Sequence, residues 1–221
     1  MDWSPFIISL KTASLAIIVT FFLGIFSARY VTNIKSDKIK SIVDGILIVP
    51  LVLPPTVVGF ILLLIFGVNR PVGRFILEFL GVKIVFSWIA TVIAAVIVSF
   101  PLMYRSARGA FEQVDKELIM AGRTLGMSEE KIFWSVVMPN ALPGVASGGF
   151  LAFARGLGEF GATAMIAGNI ANRTRTIPLA IYSEVAAGNI RGAYIYVIVI
   201  LIVSFALLFL MNYVTYKRKK Y

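Results

Sequence analysis

Read as hydrophobic and polar positions, the chain is a series of long apolar runs separated by short charged segments. The runs fall at residues 12–28, 46–68, 84–104, 142–167 and 192–216. Each is close to the twenty or so residues a helix needs to cross the hydrocarbon core of a bilayer. The second run is interrupted by Pro50, Pro54 and Pro55; each removes a backbone donor and is expected to kink or unwind the helix. The fourth contains Arg155 and Glu159, the only charges well inside a predicted span. Five crossings place the two termini on opposite sides.

Composition turns this pattern into a class. The chain of 221 residues is 59% hydrophobic and 14% charged, against about 25% charged in an average soluble domain. That is too little polar material to cover a soluble core, so the chain reads as an all-α integral membrane protein. It has no Cys and no His, which removes disulfides, thiolate zinc sites, cysteine nucleophiles and every imidazole role. The net charge of +10 is read as membrane topology rather than as a nucleic-acid surface.

The charged segments orient the spans. Residues 29–40, 105–131 and 217–220 together carry thirteen Lys and Arg, and the alternate segments 69–83 and 168–191 carry six. The positive-inside rule puts the thirteen in the cytoplasm, the N-terminus outside and the C-terminus inside. The first run has Asp2 ahead of it and ends without a small-residue cleavage pattern, so it is read as a retained helix rather than a signal peptide. Residues 1–11, with Trp3 and Phe6, are expected along the outer interface. Segment 69–83 reads as a short interfacial helix. Segment 168–191 holds a second one, begun near Pro178 and ended by Gly188.

Residues 114–139 carry the most specific pattern. Gly126 can end a first helix in the left-handed conformation. Ser128 can cap a second, with Glu129 and Glu130 in its first turn, where negative charge suits the helix dipole. Phe133, Trp134 and Val137 give that helix apolar faces, and Pro139 and Pro143 punctuate the route into the fourth span. On pattern alone, an amphipathic helix on lipid headgroups and a surface docked to a partner both remain open.

This segment resembles the EAA loop of type I ABC importer permeases. Ala121 and Gly122 stand at its two Ala positions, Gly126 follows four residues later, and Val136-Val137-Met138-Pro139 begins ten residues after that. Met120 stands where the motif has Glu, and Glu117 lies three residues before it. The stretch Phe153-Ala154-Arg155-Gly156-Leu157-Gly158-Glu159-Phe160-Gly161-Ala162-Thr163 resembles the molybdate permease family. So do Arg173-Thr174-Arg175-Thr176-Ile177-Pro178-Leu179-Ala180-Ile181-Tyr182 and, in the second span, Pro50-Leu51-Val52-Leu53-Pro54-Pro55-Thr56-Val57-Val58-Gly59. Sulfate permeases share the Leu-Gly-Glu-Phe-Gly stretch.

The resemblance implies one transmembrane type-1 domain over residues 1–221, with a core of about 9–212. It implies a homodimer in a prokaryotic plasma or inner membrane, two ATP-binding subunits below it and an extracytoplasmic oxyanion-binding protein above. Glu117, Met120, Ala121, Gly122, Gly126, Ser128, Glu129 and Pro139 would form the loop that couples to the ATPase. Pro54, Pro55, Arg155 and Glu159 are candidates for the translocation path or its gate. Arg155 and Glu159, four apart, are expected on one helix face, either as a packing ion pair or as a charged station for an anion. Arg173, Arg175 and Arg191 lie in the outer segment, where they could meet a dianion or a binding protein or simply be solvated. The chain carries no Gly-x-x-x-x-Gly-Lys-Ser/Thr, so it is expected to be no enzyme and to bind no cofactor, with ATP and Mg on the partner. Tungstate or sulfate import is the alternative within this architecture; an ion-coupled secondary transporter is the alternative outside it.

Overall fold

A computed structural model describes residues 2–218, with side chains through Tyr213. The basic tail residues Lys217 and Arg218 therefore enter only as backbone, and Lys219 and Lys220 lie outside the described residues. Regular structure among the described residues is helical throughout.

Helix α1, Ser4–Thr32, is 29 residues long, about 43 Å at 1.5 Å per residue and longer than the roughly 30 Å hydrocarbon core. Its first turns are part of the bundle, which corrects the expectation of a separate interfacial segment at residues 1–11. Ser9 is buried and its hydroxyl accepts the Ile177 N–H at 2.8 Å. The Tyr196 hydroxyl donates to the Asp2 carbonyl at 2.8 Å.

Helix α5, Trp88–Glu112, lies along α1. Buried hydroxyls join them: Thr12 meets Thr91 at 2.9 Å, Thr20 meets Ser99 at 3.3 Å, and the Trp88 indole N–H donates to Thr12 at 3.0 Å. Such bonds fix helix register where no water competes. The offset is 79 residues at both hydroxyl pairs, so the two helices run parallel and the chain between them must return across the bundle. It does so as α2, Asp37–Val52, and α3, Pro55–Phe66, which meet at an angle of 107°. The second predicted span is thus one crossing, broken in the middle. Leu53 and Pro54 are extended there, and Pro55 opens α3. Pro50 does not interrupt α2, contrary to expectation: it lies in the last turn, which closes through Leu53 N–H to the Val49 carbonyl.

Helix α4, Pro71–Leu80, is the expected short amphipathic helix, with exposed Phe75 and Phe79 in contact. The third span starts later than its apolar run, because Ile84–Ser87 forms a turn with Phe86 at φ +60°. Two short helices, α6 (Lys116–Thr124) and α7 (Glu129–Ile132), follow α5. A π-helical turn, Phe133–Val137, then joins α7 to α8, Met138–Leu157. Pro139 and Pro143 therefore do not punctuate the entry to the fourth span. Met138 N–H bonds to the Phe133 carbonyl, and Pro139 sits at the start of α8, where a missing donor is tolerated. The fourth span itself breaks after Leu157 and resumes as α9, Gly161–Ile166. Helix α10, Ile177–Ala186, has Pro178 in its first turn, and Gly188 follows it at φ +75°, as expected. The last described helix is α11, Ile190–Arg218, whose mean hydropathy reaches 2.9 and which is mostly exposed through Tyr213, as a lipid-facing span should be.

Helix α8 runs antiparallel to α5 at close range. A Cβ added at Gly148 would lie 2.4 Å from Ser106 Cβ, and one at Gly144 would lie 2.7 Å from Ala110 Cβ. The α6–α7 end of the bundle is filled by Ile25, Met103, Tyr104, Phe111, Phe133 and Val145. The opposite half is filled by Val58, Leu62, Ala90, Ala94, Ala162 and Ile166. There α3 and α9 touch backbone to backbone: a Cβ at Gly59 would sit 2.7 Å from Ala162 Cα and 2.8 Å from its oxygen.

Gly59→Ala is expected to cost about 1–3 kcal/mol through overpacking. Gly45→Ala, where an added methyl meets nothing within 4 Å, should be neutral or stabilise by up to ~1 kcal/mol. Unfolding of the two variants in detergent checks this; equal stability would contradict the close α3–α9 contact.

Candidate coupling loop and membrane-embedded ion pair

The loop is built by three local devices. Asp115 caps α6, its carboxylate accepting the Glu117 N–H at 2.9 Å. Gly126, at φ +73°, turns the chain after α6, and Met127 N–H returns to the Gly122 carbonyl at 3.1 Å. Ser128 caps α7 by accepting the Lys131 N–H at 3.3 Å. The helix–break–helix expected at Gly126 and Ser128 is present. Gly122 is buried, and a Cβ there would come within 3.1 Å of Ile132, so this position must be small. Met120 is 61% exposed and Leu125 78%; Glu117 and Ala121 are exposed beside them, and Pro139 is exposed at the start of α8.

Glu129 is not free. It closes the gap between α6 and α7 by accepting Arg123 Nε at 2.7 Å and Nη2 at 3.1 Å. The carboxylate beside Arg123 holds that guanidinium more firmly protonated than usual. Glu130 reaches α1, where it accepts both Nη groups of Arg29, and it also accepts the Trp134 indole N–H at 2.6 Å. A second polar cluster joins α2 to α5. Asp44 accepts the Tyr104 hydroxyl at 2.7 Å and pairs with Arg108, and Lys40 pairs with Glu112 at 3.0 Å. Sequence reasoning assigned Arg29, Lys40 and Arg108 only to topology. Arg108 also pairs with Glu112 one turn on, which local spacing allows, but Glu130, Glu112 and Asp44 as partners of Arg29, Lys40 and Arg108 lie on other helices, and no local spacing reveals them.

Arg155 and Glu159 pair at 2.6 Å, but not along one helix face as expected, because α8 ends at Leu157. Glu159 stands in the break, buried, with one oxygen on Arg155 and the other accepting the Ala162 N–H at 2.8 Å to cap α9. Both carboxylate oxygens are therefore used, while the Arg155 side chain keeps 29% exposure. Gly161, two residues on, faces the other break: a Cβ there would lie 3.0 Å from Pro55 Cβ and 3.2 Å from the Thr56 nitrogen. The structure thus brings Pro54, Pro55, Arg155 and Glu159 to one place where two broken spans meet, and leaves the loop residues at the α6–α7 end.

Of the arginines in segment 168–191, Arg175 donates to Asn169 at 2.9 Å, and Asn169 in turn donates to Ser183. Thr174 is buried and accepts the Ile170 N–H at 3.0 Å, so its part of the Arg-Thr-Arg-Thr stretch shapes a turn. Among the described residues no cluster of three or more Asp or Glu side chains could hold a metal ion.

Residues 20–221 match the family described as binding-protein-dependent transport system inner membrane component. The chain belongs to that family. It is 40% identical over 207 residues to the putative molybdenum transport system permease protein YvgM of Bacillus subtilis, covering 94% of this chain and 91% of that one. It is 43% identical over 182 residues to the molybdenum transport system permease protein ModB of Escherichia coli, covering 82% and 79%. A probable sulfate transport system permease protein, cysT of Chlorokybus atmophyticus, is 31% identical over 211 residues, covering 96% and 73%. An inward-facing MetNI methionine ABC transporter shares the fold at a TM-score of 0.70 and 17% identity, over 97% of this chain and 93% of that one. A bacterial ABC transporter for import of the acidic polysaccharide alginate shares it at 0.80 and 13%, over 97% and 78%. Membership makes this chain the membrane component of a binding-protein-dependent ABC importer, a machine whose ATPase is a separate subunit. The ion-coupled secondary transporter is set aside on that ground.

Glu159→Ala leaves Arg155 without its partner and α9 without its cap, and should cost about 3 kcal/mol or more. Arg155→Ala leaves the buried Glu159 carboxylate without its counter-charge and should also cost about 3 kcal/mol or more. Chemical unfolding in detergent checks both; a cost under about 1 kcal/mol for either variant would contradict a pair that holds the break.

Proposed function

We propose that this chain is the transmembrane permease subunit of an ATP-driven molybdate importer. The observation that carries the reading is the identity of 40–43% to molybdenum permeases over most of the chain, against 31% to the sulfate permease relative. The chain would work as a homodimer, because five crossings are few to enclose an aqueous path and a two-fold axis doubles them. The positive-inside balance supports a cytoplasmic α6–α7 end. The exposed Glu117, Met120, Ala121 and Leu125 then face the ATPase subunits, with Gly122, Gly126 and Ser128 shaping the surface and Glu129 bracing it. ATP and Mg are bound by those subunits, and this chain binds no cofactor.

In this reading, ATP closes the ATPase pair, the loop moves, and the bundles rock from inward-open to outward-open. An extracytoplasmic binding protein delivers the anion. The meeting of the two breaks supports a place on the path at Pro54, Pro55, Arg155 and Glu159, since broken backbone within a membrane persists where protein or an aqueous cavity satisfies it. Arg155, already neutralised by Glu159, would hold a passing dianion only weakly, as a conduit requires. Tungstate and sulfate are tetrahedral dianions as well, and they are the competing substrates.

The test is ATP hydrolysis by the reconstituted complex with binding protein loaded in turn with molybdate, tungstate and sulfate. Stimulation by the molybdate-loaded protein is expected. Stimulation by the sulfate-loaded protein alone would contradict the reading. Met120→Glu should leave the complex assembled, since the rest of the exposed loop surface is unchanged; loss of the ATPase subunit on purification would show a stricter contact at Met120.

A further inference from the structure

Arg29 occupies the last turn of α1 and reaches the segment that joins the loop to the fourth span. Its Nη1 and Nη2 donate to the two oxygens of Glu130 at 3.0 and 2.5 Å. Its guanidinium carbon lies 4.2 Å from the centre of the Phe133 ring. Glu130 is tied in turn to Trp134, and Phe133 packs edge-on against Phe111 of α5 at 5.3 Å. One side chain thus holds α7 through Glu130 and the following π turn through Phe133. Exposed ion pairs are generally weak, but a two-bonded fork that also stacks on a ring is the geometry in which arginine holds position best.

The position of this contact matters more than its strength. The π turn Phe133–Val137 is the one departure from regular α-helical bonding between α7 and α8, and Pro139 stands two residues after it. Such turns are among the places where helices bend. A push on α6 and α7 can therefore do one of two things. It can flex the π turn and leave the spans in place, or it can carry the spans with it. Arg29 bridges the yielding point from the side, because α1 is bonded along its length to α5 and packs on α8.

We infer that Arg29 is a positioning residue for transport: it makes the α6–α7 loop and the α1–α5–α8 bundle move as one body, so that loop displacement reaches the membrane path. This rests on the proposed function, in which the ATPase acts on that loop. A lysine at position 29 keeps the charge but loses the fork and most of the stacking.

The test uses the full complex in liposomes with its binding protein, measuring molybdate imported per ATP hydrolysed. Arg29→Ala and Arg29→Glu are expected to lower that ratio at least about fivefold while ATP hydrolysis stays within about twofold of the parent, with Arg29→Lys between. The exchange Arg29→Glu with Glu130→Arg should recover part of the loss that either change produces alone. An unchanged ratio, or uptake and hydrolysis falling in proportion, overturns the inference. Should Arg29→Ala fail to assemble, Arg29→Lys is read by the same ratio, and an unchanged ratio there overturns it too. A parent complex that hydrolyses ATP without moving molybdate overturns the proposed function and this inference together; a coupled parent with equally coupled variants overturns this inference alone.

Discussion

A backbone crossing a bilayer has no water to bond to, and among the described residues two of the apolar spans break part-way. How those breaks are satisfied organises the rest of the structure. At the first break the chain presents two prolines, Pro54 and Pro55, so two donors are absent rather than orphaned. At the second, Glu159 supplies a buried carboxylate that caps α9 and is itself neutralised by Arg155. The breaks then lie against each other through Gly161 and Gly59, where a side chain would not fit. A charge, its partner, two prolines and two glycines are one solution to one problem. That solution leaves a guanidinium partly exposed at the place where regular helix stops.

The other end of the bundle answers a different need. Its ion pairs, Arg123–Glu129, Arg29–Glu130 and Lys40–Glu112 with Arg108–Asp44, each join segments that packing alone holds loosely. Helix α2 contains no buried residue and α7 is four residues long. Polar contacts set where these pieces sit, while the apolar surface of Met120 and Leu125 is left open. An exposed apolar loop held rigidly from behind suits a part that receives force and passes it on.

Much of this was legible in the sequence. Five apolar runs, the Gly126 turn, the Ser128 cap and the short helices α4 and α10 follow from local chemistry, because length, caps and positive-φ glycines act within a few residues. What was not legible depends on distant partners. In the run at 142–167 Arg155 and Glu159 read as charges on a continuous helix, and the break at Glu159 shows only when the Ala162 N–H and the break before α3 are in view. Pro50 and Pro54 look alike in sequence, yet the chain turns only at the second, where α3 must fold back against α9. The entry through Pro139 reads as an interruption, and a π turn removes the conflict. Glu130 is one acid of two beside Ser128, and only the placement of α1 decides that it, not Glu129, takes Arg29. Residues 1–11 looked interfacial because Trp3 and Phe6 are conspicuous, while the buried Ser9 that ties them to α10 is not.

The central claim is that this chain carries molybdate across the membrane, and uptake of labelled molybdate by native cells with and without the gene tests it most directly. The account requires deletion to abolish high-affinity molybdate uptake, with sulfate competing poorly in the parent. Molybdate uptake untouched by deletion, with sulfate or tungstate uptake reduced instead, would contradict it.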